Sequence, residues 1–171
     1  MDIQSIIIAV HAIAASFVIL IGPVQFLRRR KDARHRLLGR TFGIMMYFVC
    51  LSGMFIYSLD GGFTVFHFLA IFTFTTTTIG IIAIRRHNVR LHRGMMIGSW
   101  AGTVVAGAFA ALIPGRRIPT LAVTDPALLW SIVAAVLVAA TALILFALRA
   151  PRRTGAATKA TPARAAEGAL R

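Results

Sequence analysis

Five apolar stretches, each about as long as one membrane crossing, leave this chain few ways to fold: Ile6 to Leu27, Thr41 to Leu59, Phe63 to Ile84, Met95 to Ile113, and Ala127 to Leu148. Crossing the hydrocarbon core takes roughly 20 residues as helix. Each crossing must be helical, because an unpaired backbone N–H or C=O in lipid costs too much. Only 14% of the residues are charged and 58% are apolar, against about a quarter charged in a soluble domain. The expected fold is all-α, an integral membrane bundle of five transmembrane helices within residues 1–148. Residues 149–171, made mostly of Ala, Thr, Pro, Gly and Arg, carry too little apolar bulk to offset ordering and read as a disordered, basic cytoplasmic tail.

The net charge of +14 reports topology rather than nucleic-acid binding. Seventeen of the 19 Lys and Arg residues fall in the segments Arg28 to Arg40, Arg85 to Arg93 and Arg149 to Arg171, all on one side of a five-span map. Arg116 and Arg117 are alone on the other side. Basic loops stay cytoplasmic, so the N-terminus is expected outside, the C-terminus inside, and the Asp60-Gly61-Gly62 turn outside. Met1 to Ser5 holds no cation, so the first apolar run lacks the charged region of a signal peptide and is expected to remain as a span. The single cysteine, Cys50, cannot form an intrachain disulfide, and the absence of CxxCH excludes c-type haem attachment.

Four of the five histidines recur as a duplicated pattern. His11 and His67 lie in apolar stretches 56 residues apart, while His35 and His92 follow arginine clusters 57 residues apart, the second basic loop being one residue longer. The first four spans thus form two out-in-out hairpins in one orientation, a parallel repeat whose pseudo-two-fold axis runs along the membrane normal. The fifth span has no counterpart and is expected on the outside of the four-helix core. His11 and His67 lie five and four residues inside their spans, so both are expected roughly 6 to 8 Å below the outer boundary. Two imidazoles at one depth could hold the iron of a haem b between them, whereas zinc needs three or four ligands. The competing reading is an interfacial histidine bonded to water or a carbonyl. His35 and His92, near the inner surface, are a second candidate pair, with Arg36 and Arg93 placed to meet haem propionates; a positive-inside loop explains the same residues without any ligand. His87 has no counterpart and reads as loop charge.

Gly94, Gly98, Gly102, Ala106 and Ala110 recur every four residues down the fourth span, a smooth stripe that favours close helix packing and would also give clearance to a flat macrocycle. Gly39 and Gly43 begin a shorter stripe. Thr73 and Thr75 to Thr78 are expected to bond back to carbonyls three or four residues earlier. All five acids, Asp2, Asp32, Asp60, Asp125 and Glu167, lie in loops or termini, which argues against a proton-coupled transporter. No P-loop, HExxH or Ser-His-Asp set points to nucleotide-driven or hydrolytic chemistry.

The run His35-Arg36-Leu37-Leu38-Gly39-Arg40, the Asp60-Gly61-Gly62-Phe63 turn, His67, and Arg90-Leu91-His92-Arg93-Gly94-Met95-Met96 resemble a bacterial family of predicted membrane proteins, domain-of-unknown-function family 2306. The resemblance covers roughly Ile6 to Pro114 and implies a multi-pass protein of the bacterial cytoplasmic (inner) membrane, with no activity to inherit. A more distant similarity is to the ascorbate-reducible transmembrane cytochromes b, in which alternate helices of a four-helix core supply histidine pairs to two haems. The alternation of His11 and His67 with His35 and His92 matches that pattern, although His35 lies outside its apolar run.

The leading expectation is therefore a haem b-binding electron-transfer protein with cofactor ligands His11, His67, His35 and His92, of which His11 and His67 hold the metal, and with Arg36 and Arg93 at the propionates. Whether it is an enzyme stays open. The partners implied are the lipid bilayer and a quinol or a redox partner protein, with a homo-oligomer open and no nucleic acid. The alternatives are a non-catalytic accessory protein that packs on a partner helix and a small-solute permease using the threonines.

Overall fold

The computed structural model describes residues 3–28, 32–56 and 62–149, and within them the chain is all-helical. Six helices follow in order: α1 (Ile3–Leu27), α2 (Ala33–Gly53), α3 (Val65–Arg85), α4 (Val89–Leu112), α5 (Arg117–Thr124) and α6 (Pro126–Arg149). The tail beyond Arg149 and the Asp60-Gly61 pair lie outside the described residues. By length and composition α1, α3, α4 and α6 can each cross a membrane. α2 falls short because Arg34, Arg36 and Arg40 occupy its first turns and it ends at Gly53; its apolar part from Thr41 spans roughly 20 Å at 1.5 Å per residue.

Capping residues rather than hydrophobicity set where α2 and α4 begin. Asp32 Oδ1 accepts from the His35 amide at 3.2 Å and from Arg28 Nη2 at 2.9 Å, which starts α2 eight residues ahead of the apolar run. Asn88 does the same for α4, accepting from the Leu91 amide at 3.0 Å. Both inner histidines are therefore in helical first turns, inside their helices and not in the loops before them. The His35 amide, and after it the Arg28 guanidinium, hold the Asp32 carboxyl below its ordinary pKa of 3.8. A carboxyl depressed in the native state stabilises it above the unfolded pKa and loses that contribution as pH falls through the native value. Wild type should therefore lose stability below about pH 4 more steeply than Asp32→Asn, as measured by thermal unfolding in detergent; parallel pH curves would show that the cap does nothing.

Neighbouring helices are antiparallel. The start of α1, the end of α2 and the start of α5 meet at one end, here called upper, through Gln4 Nε2 donating to the Phe55 carbonyl (3.3 Å) and Arg117 Nη2 donating to Ser5 Oγ (2.7 Å). The lower end is tied by Gln25 Nε2 to the His35 carbonyl (3.0 Å) and by His92 Nδ1 to the Gly80 carbonyl (2.8 Å). α1 and α3 each pack on α2 and α4 and make no contact with one another, so they are diagonal in a ring of four. α6 packs outside the ring on α1 and α2, as the unpaired fifth span was expected to do, and α5 bridges α4 and α6. The core is drawn from positions one helical turn apart, Ala14, Val18 and Ile21 on α1 and Leu38, Phe42 and Met46 on α2, closed by Met96 and Ala147. Phe68, Phe72, Trp130 and Phe146 point outward, each 64 to 69% exposed, the distribution that lipid tolerates and water does not.

Two contacts fix how the helices approach. Pro23 sits inside α1 and has no N–H to give the Ile19 carbonyl four residues earlier. Trp100 Nε1 on α4 supplies that missing bond at 3.1 Å, and Gly22 leaves the space, since a Cβ there would overlap the indole. Gly80 on α3 does the same for Met96, whose methyl occupies the place of a Cβ. The expected α4 seam is different: Gly94 and Gly98 have no neighbour within 4 Å of a built Cβ, so that part of the stripe packs on nothing within the chain. The threonines bond back as expected, Thr75 to Ile71, Thr76 to Phe72 and Thr78 to Phe74, at 2.9, 3.0 and 2.8 Å. Thr76 and Thr78 also reach Ser99 and Tyr47 across the helix interfaces, each at 2.9 Å.

Candidate functional site

The upper half of the ring borders a partly open cavity of about 380 Å³, within the range of small-molecule sites. Its walls are Ala12 and Ala15 of α1, Gly53 of α2, Ala70 of α3, and Gly102, Ala106 and Ala110 of α4. The upper half of the α4 stripe thus makes room instead of a seam: absent side chains create the space. The polar groups in the lining are His11, Ser16, Thr64, Thr73, Thr103, Arg116 and Arg117. Among the described residues no carboxylate joins them.

His11 is the best-defined of these. Its Nδ1 lies 2.9 Å from Ser52 Oγ, and that hydroxyl gives its only proton to the Phe48 carbonyl at 2.7 Å. With the hydroxyl proton directed at the Phe48 carbonyl, or at that of Val49 at 3.3 Å, the imidazole is the donor, with the proton on Nδ1 and Nε2 left as an acceptor. A ring held through an Nδ1–H bond is the arrangement that orients histidine ligands and bases. Sequence reading missed Ser52, since nothing in a chain separation of 41 residues announces the contact.

His67 is arranged differently, and the expected pairing with His11 does not form. Its Nδ1 accepts from the Thr64 amide at 2.9 Å and lies 3.0 Å from Thr64 Oγ1, so it caps its own helix. The ring is 1% exposed and stacks on Phe63, with centroids 4.8 Å apart. An imidazole bound to iron through Nε2 carries its proton on Nδ1 and donates it; here that atom faces a donor. Depth disagrees too. A Cβ on Gly53 would lie 3.3 Å from His11 Cε1 and 3.9 Å from Ala70 Cβ, so Ala70 is level with His11, and His67 sits about 4.5 Å higher along α3. The equal spacing in sequence hid this because α1 begins eight residues before His11 and α3 only two before His67. His67 is also outside the cavity lining. The pair does not fit bis-histidine haem b.

The inner set does not converge either. His92 donates from Nδ1 to the Gly80 carbonyl, while His35 meets the neighbouring helix through its backbone, its carbonyl taking the Gln25 bond. His35 is the third residue of α2 and His92 the fourth of α4. α2 and α4 are diagonal, and they meet across the ring through Thr103 Oγ1 donating to Met46 Sδ at 3.4 Å, far from both histidines. Arg36 is exposed, and Arg93 borders an open surface groove with Val89, Arg90, Gly94 and Ile97. Among the described residues no three His, Cys, Asp or Glu side chains gather as a metal site.

α5 is the element the sequence did not announce. Its start brings Arg116 and Arg117 to the cavity, with the Arg116 guanidinium 4.7 Å above the Phe66 ring, a cation–π contact. The available signal was their isolation: they are the two Lys or Arg residues on a side that otherwise has none.

A ring of antiparallel apolar helices around an upper cavity defines a multi-pass helical membrane protein. The chain belongs to the DUF2306 family of predicted membrane proteins, whose pattern matches residues 8–148. That match runs through α6 and so extends past the Ile6 to Pro114 segment that carries the resemblance in sequence. No curated protein and no solved structure matches the chain.

Proposed function

We propose that this protein binds an amphipathic small molecule in the upper cavity, with His11 as the buried hydrogen-bond acceptor that orients it. The observation that carries this reading is the fixed tautomer: Ser52 commits Nδ1–H, so Nε2 is set to accept from a hydroxyl or N–H in a cavity lined chiefly by small apolar residues. Apolar walls with few placed polar groups are the usual make-up of a ligand site. A quinol hydroxyl suits that acceptor, and so does the hydroxyl of a single-chain lipid. The reading needs no metal and keeps His67, His35 and His92 as structural residues.

The protein is proposed to cross the bacterial inner membrane five times, with the upper end outside. α2 supports a fifth crossing because it is packed between α1 and α3 along its length, and long arginines such as Arg36 and Arg40 can extend toward headgroups from its lower end. Arg28, Arg34, Arg36, Arg40, Arg85, Arg86, Arg90, Arg93 and Arg149 cluster at the lower end, as cytoplasmic loops do. Cysteines placed at Ala33 and Gly62, on either side of α2, should label from opposite sides of sealed vesicles; labelling of both from one side would remove the α2 crossing.

Equilibrium binding of 1-lauroylglycerol, a neutral hydroxylated amphiphile, to the full chain in mild detergent tests the site. Wild type should bind saturably and His11→Ala about tenfold more weakly, the loss expected for one buried hydrogen bond. Ala106→Phe should abolish binding by filling the space while the protein stays folded. Equal affinity in all three proteins would rule the cavity out as the site.

A further inference from the structure

Both cations at the upper end border the cavity, and among the described residues no acid is paired with either. Arg116 and Arg117 line it at the start of α5, whereas the ion pair of Arg28 with Asp32 lies at the far end of the bundle. Asp125, the acid described at the upper end, is occupied in starting α6, accepting from the Leu128 amide at 2.9 Å. Arg116 Nε is buried without a hydrogen-bond partner while its guanidinium lies over Phe66. A buried guanidinium N–H left unmatched is costly, and a ligand oxygen would satisfy it. The first turn of α5 adds to the same field, since no side chain caps it and a helix start carries partial positive charge. Arg117 is anchored through Ser5 Oγ, which holds the start of α5 over the cavity.

We infer that the ligand carries an anionic headgroup, a phosphate or carboxylate held by Arg116 and Arg117, with its apolar chain running down among the small residues of α1 and α4. This rests on the cavity reading above and adds the chemical class of what the cavity selects. Guanidinium suits both anions through paired N–H donors, whereas a zwitterionic head would bring a cation against two arginines. The His11 acceptor then takes a hydroxyl on the same molecule. A lysophospholipid with a free glycerol hydroxyl has all three parts: anion, donor and single chain.

The test compares 1-lauroylglycerol with its 3-phosphate ester, the same chain and hydroxyl with the anion added, on the full protein in neutral detergent. Wild type should bind the phosphate at least tenfold more tightly than the neutral lipid, and the preference should shrink as salt is raised. Arg116→Gln with Arg117→Gln should erase the preference yet keep the neutral lipid's affinity, which shows that the double variant is folded; Arg116→Lys should keep part of it. Inorganic phosphate should fail to compete at millimolar concentration, because the chain supplies much of the affinity. If inorganic phosphate competes fully, the site is for a free anion and the amphiphile is wrong. Equal binding of the two lipids to wild type, or a preference that survives the double substitution, overturns the anionic head while leaving the cavity reading intact. Failure of both lipids to bind overturns both.

Discussion

Trp100→Phe should destabilise this bundle by about 1 to 3 kcal/mol although it removes little volume, because it leaves the Ile19 carbonyl without a donor inside the apolar core. The cause is Pro23, which cannot provide the amide that an α-helix would normally present there. Trp100 Nε1 fills the gap at 3.1 Å. A double-mutant cycle isolates the effect: Pro23→Ala gives the carbonyl a local donor, so the cost of Trp100→Phe should fall by about 1 kcal/mol in that background. Trp100→Ala should cost more, about 3 to 5 kcal/mol, since the indole also packs edge-on against Phe26 at 5.6 Å. Unfolding in mixed micelles reads each of these, and strictly additive costs for Pro23→Ala and Trp100→Phe would refute the coupling.

Glycines that look alike in sequence should respond oppositely to substitution. Gly80→Leu is expected to cost about 3 kcal/mol, the upper end for overpacking, because its Cβ would run into the Met96 methyl and lie 3.0 Å from Met95 Cβ. The second contact cannot swing away. The same change would also push α4 from α3 and strain the bond from His92 Nδ1 to the Gly80 carbonyl. At Gly98 a built Cβ meets no atom within 4 Å, and Gly98→Leu should be neutral within about 0.5 kcal/mol. Thermal unfolding of the two variants side by side decides the matter; comparable losses would mean that the regular stripe, and not Gly80, makes the seam.

That contrast shows how much of the site was legible beforehand. The every-fourth-residue pattern on α4 was plain, but its meaning depends on what stands opposite. Gly94 and Gly98 face away from the chain's other helices, whereas Gly102, Ala106 and Ala110 face the cavity. Similarly, His11 could be singled out as an imidazole in an apolar run. Its tautomer needed Ser52, which a different helix brings to 2.9 Å.

The histidine repeat misled for a related reason. Spacing in sequence measures separation along the chain, while ligation depends on level and helical phase. Levels are counted from helix starts, and these are set by Asp32, Thr64 and Asn88 rather than by the onset of hydrophobicity. One residue of difference turns a side chain by about 100°. A near-perfect repeat of 56 and 57 residues therefore delivered one ring that lines a cavity, one that caps its own helix and one that ties α4 to α3.

The amino-acid sequence alone determined that this chain is an all-helical membrane protein, because the cost of bare backbone in lipid acts locally and leaves a mark in every apolar stretch. Its basic clusters likewise wrote the shared lower end of the hairpins into the chain. Which helices are diagonal, where the small residues open a space, and which atom of His11 is an acceptor were decided by tertiary packing. Those properties belong to pairs of groups on different helices, such as Pro23 with Trp100 or Ser52 with His11, and no single segment encodes them.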